Sequence, residues 1–469
     1  MTDGAMHVRE LQWIEPVIAM QRLAHRSHLT FFDSAASHEL LGRYSYLTCD
    51  PFSTYTVVDG QARCNGETLD DDPWEALRTL LARFRQEHRP DLPPFQGGAA
   101  GFLGYDLNRT LERLPAPAAP GQQLPQSILH LYDVIISFDH RDDRCWLVST
   151  GWPEQDPVRR SERARRRADE FAALLAGPKA PRNNFLATSG RWHSNFSRED
   201  YIAAVQRVID LILAGDVFQA NIAQRFSAEI STSFDPISFY CRLRSLNPAP
   251  FAALLRYGKL TIASSSPERL LKLDGRQAET RPIKGMIARS ADSKEDQRRA
   301  QMLTASEKDR AENTMIVDLL RNDLSRVCTV DSIGVPALCK LESYASVHHL
   351  VSVVTGELAE LQDAVSLLRA CFPGGSITGA PKVRAMEIIT EIEDVAREVY
   401  CGGIGFIGFN GHMDTNIAIR TVTINDGSAV FHAGSGITAM SEPQAEYEET
   451  LAEARRIFDA FGAETPGAL

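Results

Sequence analysis

The stretch Gly402-Gly403-Ile404-Gly405-Phe406-Ile407-Gly408 contains the spacing G-x-G-x-x-G. In dinucleotide-binding proteins this spacing follows a strand and opens a helix. Here the next residues are Asn410-Gly411, a dipeptide typical of hairpin turns, followed by a further strand over Thr415–Ile424. Asp426-Gly427 then turns into a strand over Ala429–His432. The segment therefore predicts an antiparallel meander. Within it, Gly402–Gly408 is a strand with little side-chain bulk, which a ligand or another backbone can approach closely.

The composition is that of a globular enzyme. Of the 469 residues, 43% are hydrophobic and 24% are charged, which is enough for a large core. The formal charge of -11 argues against nucleic-acid binding, and no apolar run reaches membrane-spanning length. The N-terminus does not resemble a signal peptide. The eight cysteines are scattered without a C-x-x-C pair, which indicates reduced thiols in a cytoplasmic protein.

A linker divides the chain into two segments. Gly177–Pro181 is rich in glycine and proline and separates an N-terminal segment, 1–180, from a second segment, 190–462. In the first, Ile135–Phe138 and Cys145–Val148 are predicted strands, and a charged helix is expected over Asp156–Ala176.

The second segment contains stronger signals. Ser197–Asp200 resembles a capping box, and it precedes a helix that Gly215 ends. Val217–Phe226 alternates as a strand, with Phe218 predicted on its apolar face and Gln219 and Asn221 on its polar face. A further helix is expected from Ser306 to Leu324, in which Glu312 continues the apolar stripe. The Glu312 carboxylate is either a residue at the edge of the core or a ligand that points into a cleft.

Lys284 lies in the motif Pro282-Ile283-Lys284-Gly285. Apolar neighbours would desolvate its ammonium and favour the free amine, and Gly285 would let a small substrate approach the backbone. On this motif alone, such a lysine is more commonly a solvated surface residue.

Two glycine-rich segments and a row of glutamates complete the pattern. Gly374–Pro381 opens a helix, where backbone N–H groups bind anions. Gly434-Ser435-Gly436 is predicted as a loop before the last helix. On that helix Glu446, Glu449 and Glu453 share one face, which is either a solvated surface or, if it faces Glu312, a site for Mg²⁺.

Taken together, these motifs resemble the chorismate-utilising enzymes, which include anthranilate synthase component I, isochorismate synthase and aminodeoxychorismate synthase component I. The resemblance runs from about Phe196 to Phe458, and Phe32-Asp33-Ser34 with Gly42–Ser45 extends it to the first segment. The matching segments are Ser266–Glu268, Arg281–Gly285, Asp309–Asn313, Phe372–Lys382, Asp414–Thr421 and Ala445–Thr450. The resemblance implies an α+β fold in which two large antiparallel β-sheets pack as a sandwich. The helices would lie outside the sheets, and the whole chain would form one interwoven unit.

Within the family, the lysine in Pro-Ile-x-Gly resembles the aminodeoxychorismate branch, whereas anthranilate synthase typically has alanine. Gln219 differs from the water-activating lysine of isochorismate synthases. The resemblance therefore implies amination of chorismate to 4-amino-4-deoxychorismate for folate biosynthesis. The ammonia would come from a glutamine amidotransferase subunit, because the chain shows no glutaminase motif of its own.

The resemblance also implies roles for individual residues. Lys284 would be the nucleophile, Glu268 the general acid and His349 a further catalytic residue. Substrate would be bound by Gln219, Thr280, Ser376, Arg420 and Gly436, and Mg²⁺ by Glu312 and Glu449 with Glu446 beside them. Some relatives bind tryptophan, and Ser34, Arg43, Tyr44, Pro250 and Phe251 would line that pocket unless they form ordinary core.

Two alternatives remain open at this point. One is an anthranilate synthase component I. The other is a non-catalytic, amino-acid-binding regulatory subunit, suggested by Glu453, which stands where relatives generally carry lysine.

Overall fold

The structure is a computed structural model that describes residues 5–36, 41–119, 121–179, 191–344 and 347–463.

Capping residues and turns set the element boundaries. The Asp200 amide donates to the Ser197 hydroxyl at 3.1 Å, and Gly215 ends the helix with a φ of +89°. The helices expected after Asp156, Ser197 and Ser306 are confirmed.

The helices have the following bounds: α1 (Pro16–Leu23), α2 (Pro73–Ala82), α3 (Pro157–Ala176), α4 (Arg198–Ala214), α5 (Pro236–Leu246), α6 (Ser293–Ala305), α7 (Glu307–Ser325), α8 (Ala364–Cys371), α9 (Lys382–Glu393) and α10 (Pro443–Phe461). Short 3₁₀ turns cover Tyr105–Thr110, Val330–Ser332 and Gly375–Ile377. In the described part of the chain, no helix combines the length and the apolar character that crossing a bilayer requires.

The strands form two antiparallel sheets, as expected. The first sheet has the order β1 (His7–Leu11), β10 (Arg144–Ser149), β9 (Val134–Asp139), β3 (Tyr44–Thr48), β2 (Leu29–Asp33), β13 (Phe251–Tyr257), β14 (Leu260–Ser266), β23 (Thr421–Asn425), β24 (Ser428–Ile437), β12 (Gln219–Glu229) and β11 (His193–Ser194), with β20 (Gly379–Ala380) beside β12.

The second sheet has the order β17 (Ile283–Ala288), β19 (Val347–Glu357), β16 (Gln277–Arg281), β15 (Arg269–Asp274), β22 (Met413–Ile417), β21 (Gly403–Gly408), β7 (Gly98–Leu103), β8 (Ser127–Tyr132), β4 (Ser53–Val58), β5 (Gln61–Cys64) and β6 (Glu67–Thr68), with β18 (Gly334–Ser343) beside β19. Each sheet contains strands from both segments of the chain, so the two segments are interwoven.

The two sheets pack face to face and the helices cover their outer faces. Tyr46 and Ile135 of the first sheet pack against Ala100 and Phe406 of the second. Helices α1, α3, α5 and α10 pack outside the first sheet, and α2, α7 and α8 outside the second. The predicted sandwich is therefore the observed architecture.

The structure corrects the predicted meander. Thr415–Ile424 is not one strand, because the chain leaves the second sheet after Ile417 and enters the first at Thr421. Arg420, with a φ of +50°, lies in this crossover. Gly405 shows why β21 carries glycine: a Cβ on it would lie 2.1 Å from the Asp414 carbonyl oxygen, so the backbone of β22 occupies the space of a side chain.

Two smaller predictions are also wrong. Phe218 precedes β12 and is 71% exposed, because the buried part of that strand begins at Gln219. Gly434-Ser435-Gly436 is not a loop but part of β24, since those residues pair with Ala223, Ile222 and Asn221 of β12.

Candidate active site

The candidate site lies where two chain crossovers between the sheets run side by side. One joins β14 to β15 through Pro267 and Glu268, and the other joins β22 to β23 through Arg420. The Ile417 amide donates to the Glu268 carbonyl at 3.0 Å, and the Ser266 hydroxyl donates to the Ile417 carbonyl at 2.6 Å. Each crossover thus fixes the other and places a carboxylate near a guanidinium.

Beside the crossovers is a cavity of about 370 Å³. It is formed by both sheets together with α7 and α10. Its walls include Asn221, Glu268, Lys284, Lys308, Glu312, His349, Ser376, Tyr400, Arg420, His432, Ser435, Gly436, Glu446, Glu449 and Glu453. Most of the residues expected from the sequence therefore meet in one place.

Glu268 is buried in the crossover. The Ser376 hydroxyl donates to its Oε1 at 2.7 Å and the Ile283 amide to the same atom at 3.4 Å. Burial raises the pKa of this carboxyl to about 7, although the Ser376 hydrogen bond and the charges of Lys284 and Arg420 oppose the shift. Glu268 can therefore hold or release a proton near neutral pH.

An irregularity in β17 directs Lys284. The register of β17 against β19 shifts between Lys284 and Met286, and Gly285 has a φ of +78°. A Cβ at Gly436 of the facing sheet would lie 3.2 Å from Lys284 Nζ, so the amine reaches the floor of the cavity. The expectation of an apolar environment is wrong, because the walls around this amine are rich in carboxylates.

Helices α7 and α10 supply the acidic wall. Glu446 Oε2 accepts a hydrogen bond from the Ser435 hydroxyl, and Glu446 Oε1 lies 3.5 Å from Lys308 Nζ. Burial and the charges of Glu446 and Glu453 raise the pKa of Glu449 to about 7. Burial also raises the pKa of Glu312, whose Oε1 is buried without a hydrogen-bond partner. The glutamate face of α10 therefore lines a cavity and is not a solvated surface.

This wall suits a divalent cation that takes few protein ligands. The unpartnered Oε1 of Glu312 and the mutual repulsion of the glutamates would both be relieved by a cation. Across the described ranges, no three His, Cys, Asp or Glu side chains form a ready-made metal cluster. The residues fit Mg²⁺, which commonly binds one or two carboxylates and completes its shell with water and substrate oxygens.

Glu453 also reaches the cavity. Because β24 continues beyond its last pairing with β23 at Phe431, the Gly434 amide has no partner strand there and hydrogen bonds to Glu453. Burial raises the pKa of Glu453, while the charge of Arg420 opposes the shift. This glutamate has a structural partner of its own, which the sequence did not indicate.

The remaining predicted residues divide into two groups. His349 is buried at the cavity wall, and burial together with the charge of Arg420 lowers its pKa to about 4, so its ring is neutral. Gln219 does not line the cavity itself, but its side chain lies against Gly436 of the cavity wall, where a Cβ would be 2.0 Å from Gln219 Nε2. Thr280 is buried on β16 and does not line the cavity, so its expected contact with substrate is not borne out by the geometry.

A second cavity of about 360 Å³ lies between the sheets. It brings together all five residues expected for a tryptophan pocket: Ser34, Arg43, Tyr44, Pro250 and Phe251. The Arg43 guanidinium lies 4.9 Å from the centre of the Tyr44 ring and binds Asp139 at 2.6 Å. The residues enclose a space and are not ordinary core.

Sequence reasoning missed Lys308, Tyr400, Ser435 and His432. His432 could have been found, because it alternates with Gly434 and Gly436 along one face of β24. The other three carried no spacing signal. All eight cysteines are unpaired, as predicted.

Comparisons with known proteins agree with the geometry. A family model described as chorismate binding enzyme matches residues 33–459. The chain is 41% identical over 442 residues to aminodeoxychorismate synthase component 1 of Escherichia coli (strain K12), covering 93% of this chain and 94% of that protein.

It is also 37% identical over 446 residues to anthranilate synthase component 1 of Thermus thermophilus, covering 95% of each chain. Among solved structures, anthranilate synthase component I from Streptococcus pneumoniae TIGR4 superposes with a TM-score of 0.80 and 30% identity, covering 95% of this chain and 97% of that one.

Proposed function

The chain belongs to the chorismate-binding enzyme family, and from this premise we propose that it aminates chorismate at C4 to give 4-amino-4-deoxychorismate, the precursor of 4-aminobenzoate for folate biosynthesis. The observation that carries the proposal is the Lys284 amine in the same cavity as Glu268, whose pKa is about 7. Such a pair provides a nucleophile and a general acid. Relatives named aminodeoxychorismate synthase component 1 support this reaction.

In the proposed mechanism, Lys284 acts as a covalent catalyst. Its Nζ forms a bond to C2 of chorismate, the ring double bonds shift, and the C4–O bond breaks. Ammonia then forms a bond to C4, the electron pairs shift back, and the C2–Nζ bond breaks, returning the free lysine. The sum is ammonia consumed and water released. Two easier substitutions replace one difficult one.

Glu268 would protonate the departing C4 hydroxyl, which then leaves as water. The acid must be protonated and shielded from bulk solvent. Burial of Glu268 in the crossover meets both needs. The nitrogen that has bonded to C4 carries a positive charge, and it gives one proton back to the Glu268 carboxylate.

The carboxylates of the substrate would be held by opposite charges. Arg420, the Ser376 hydroxyl and the backbone near Gly436 would bind the enolpyruvyl carboxylate. Glu312 and Glu449, with Glu446 beside them, would hold Mg²⁺ at the acidic wall of the cavity. When bound, this cation neutralises charge and orients the ring.

The ammonia is proposed to come from a glutamine amidotransferase subunit in the cytoplasm. The relatives' designation as component 1 supports a second component. The second cavity is proposed to bind tryptophan, since aromatic rings and a guanidinium surround it.

Identification of the product tests the reaction. Chorismate, Mg²⁺ and ammonium should give a 4-aminated product without anthranilate fluorescence. Appearance of that fluorescence would instead identify an anthranilate synthase, and absence of any product would favour a regulatory subunit.

The covalent step has its own test. Mass spectrometry of protein incubated with chorismate but without ammonia should show an adduct on the peptide that contains Lys284, and Lys284→Ala should abolish both the adduct and the product. Unchanged formation of the 4-aminated product by this variant would rule out covalent catalysis.

A further inference from the structure

The active-site cavity continues past Lys284 into an inner recess. We use this name for the part of the cavity bounded by Asn221, Tyr400 and His432. Asn221 of β12 is directly opposite Gly436 of β24, and Gly434 separates Gly436 from His432 on the same face. Lys284, Gly436, Gly434 and His432 all line this one cavity.

Polar atoms at this recess are buried without hydrogen-bond partners. They are Asn221 Oδ1 and His432 Nε2, and Oε1 of Gln219, whose side chain lies behind the cavity wall against Gly436, also lacks a partner. The three side chains are 6%, 4% and 1% exposed. Leaving a buried acceptor unsatisfied costs about 1–3 kcal/mol, so three together indicate that the site is built for a hydrogen-bonding ligand.

The charges around the recess define the ligand. Burial lowers the pKa of His432 well below its ordinary value, and the charges of Arg225 and Arg397 lower it further, so the ring is neutral. The Tyr400 ring stacks on His432 at 4.8 Å between centroids and closes one side. A small neutral molecule with several N–H donors suits this space, because Arg397 is already paired with Glu393 and the Arg225 guanidinium would repel a cation.

We propose that the inner recess binds the ammonia that attacks C4, with Asn221, Gln219 and His432 as its hydrogen-bond partners. This assignment rests on the proposed amination. Ammonia has three N–H groups for the acceptors and one lone pair that remains free to attack. The Arg225 guanidinium near His432 favours ammonia over ammonium, in which a proton occupies the lone pair. The C–N bond formed and the C–N bond broken are those of the second step above.

The steady-state kinetics of two variants test the proposal. The variants Asn221→Leu and His432→Phe each keep most of the side-chain volume and remove the hydrogen-bond acceptor. With ammonium chloride varied at saturating chorismate, the KM for free ammonia should rise at least tenfold in each. The KM for chorismate and the rate of adduct formation without ammonia should stay within twofold of wild type.

A matched control is His130→Phe. His130 is equally buried and also has an unpartnered Nε2, but it lies on β8, outside the cavity. This variant should leave the KM for ammonia unchanged, which separates loss of an acceptor in the recess from general destabilisation.

The size of the amine gives a second readout. Asn221→Ala enlarges the recess, so this variant should convert methylamine to a 4-methylamino product that wild type does not form. An unchanged KM for ammonia in both acceptor variants, or an equal rise in the KM for chorismate, would overturn the assignment. Failure of wild type to make any aminated product would instead overturn the proposed function.

Discussion

At the scale of single residues, the position of Glu268 decides its chemistry. A glutamate in water has a pKa near 4.5, whereas the crossover raises this one to about 7 by removing solvent. Its partner Ser376 comes from the glycine-rich segment 108 residues away in sequence, and it donates to the same carboxylate oxygen as the Ile283 amide. The environment therefore keeps the acid protonated close to neutral pH.

Replacing Glu268 with glutamine keeps the shape but removes the proton donor. We expect kcat to fall by about 10²–10⁴-fold, because general acid catalysis contributes that much. In wild type, activity measured at constant free ammonia should decline as pH rises through about 7, where Glu268 loses its proton. A flat profile for wild type over this range would contradict the assigned role.

The same variant has an opposite effect on stability. The folded-state pKa lies above the unfolded value, so the stabilising contribution of protonated Glu268 is complete below about pH 4.5 and is lost as pH rises through about 7. Glu268→Gln should therefore raise the free energy of unfolding at pH 8, by at most about 3 kcal/mol, and change it little at pH 4. Denaturant unfolding at the two pH values measures this difference.

At the scale of elements, the contact between β17 and α7 positions Lys284. Gly285 lies so close to α7 that a Cβ on it would be 2.9 Å from the Cβ and Cγ atoms of Asp309. Helix α7 also carries Glu312, and Asn313 of this helix donates to the Leu350 carbonyl at 3.1 Å. Leu350 pairs with Lys284, so the helix and the strand place the amine and the acidic wall together.

The variant Gly285→Ala should separate these two elements. The left-handed backbone costs about 1–2 kcal/mol for alanine, and the contact with Asp309 forces β17 to move as well. Since a displacement of about 1 Å reduces catalysis about 10²-fold, we expect kcat/KM to fall by that order.

The control is Gly275→Ala, in the turn between β15 and β16. Gly275 has a φ of +60°, but a Cβ there meets no atom within 4 Å. This variant should lose a similar amount of stability and keep its activity. Equal losses of activity in both variants would show that the Gly285 contact does not position the lysine.

At the scale of the whole molecule, the sandwich creates both cavities. The active site forms where strands cross from one sheet to the other, and the second cavity lies between the two sheets. Ser34 and Tyr44 come from one end of the sequence and Asp414 from the other. A ligand in this cavity therefore stabilises the packing of the whole sandwich.

Tryptophan should raise the midpoint of thermal unfolding in proportion to the logarithm of its concentration, because it binds only the folded state. In Tyr44→Ala, calorimetry should show affinity reduced at least tenfold, through loss of aromatic contact area. Tyr447→Ala, which removes a half-buried ring outside the cavity, is the control. No shift with wild type would exclude tryptophan as the ligand.

The sequence by itself determined the antiparallel class, the capped helices and most of the site. Asn410-Gly411 and Ser197 act through neighbouring residues, so local spacing is enough to interpret them. The resemblance to the chorismate-utilising enzymes supplied Lys284, Glu268 and the glutamates, and the structure places these in one cavity.

Only the tertiary structure decided where strands change sheets, which environment Lys284 has and which polar atoms lack partners. Alternation along Thr415–Ile424 is the same whether the chain stays in one sheet or crosses to another, so the break at Arg420 could not be predicted. The recess of Asn221 and His432 depends on the register of β12 against β24. Register is a contact between distant segments, and spacing along one strand does not specify it.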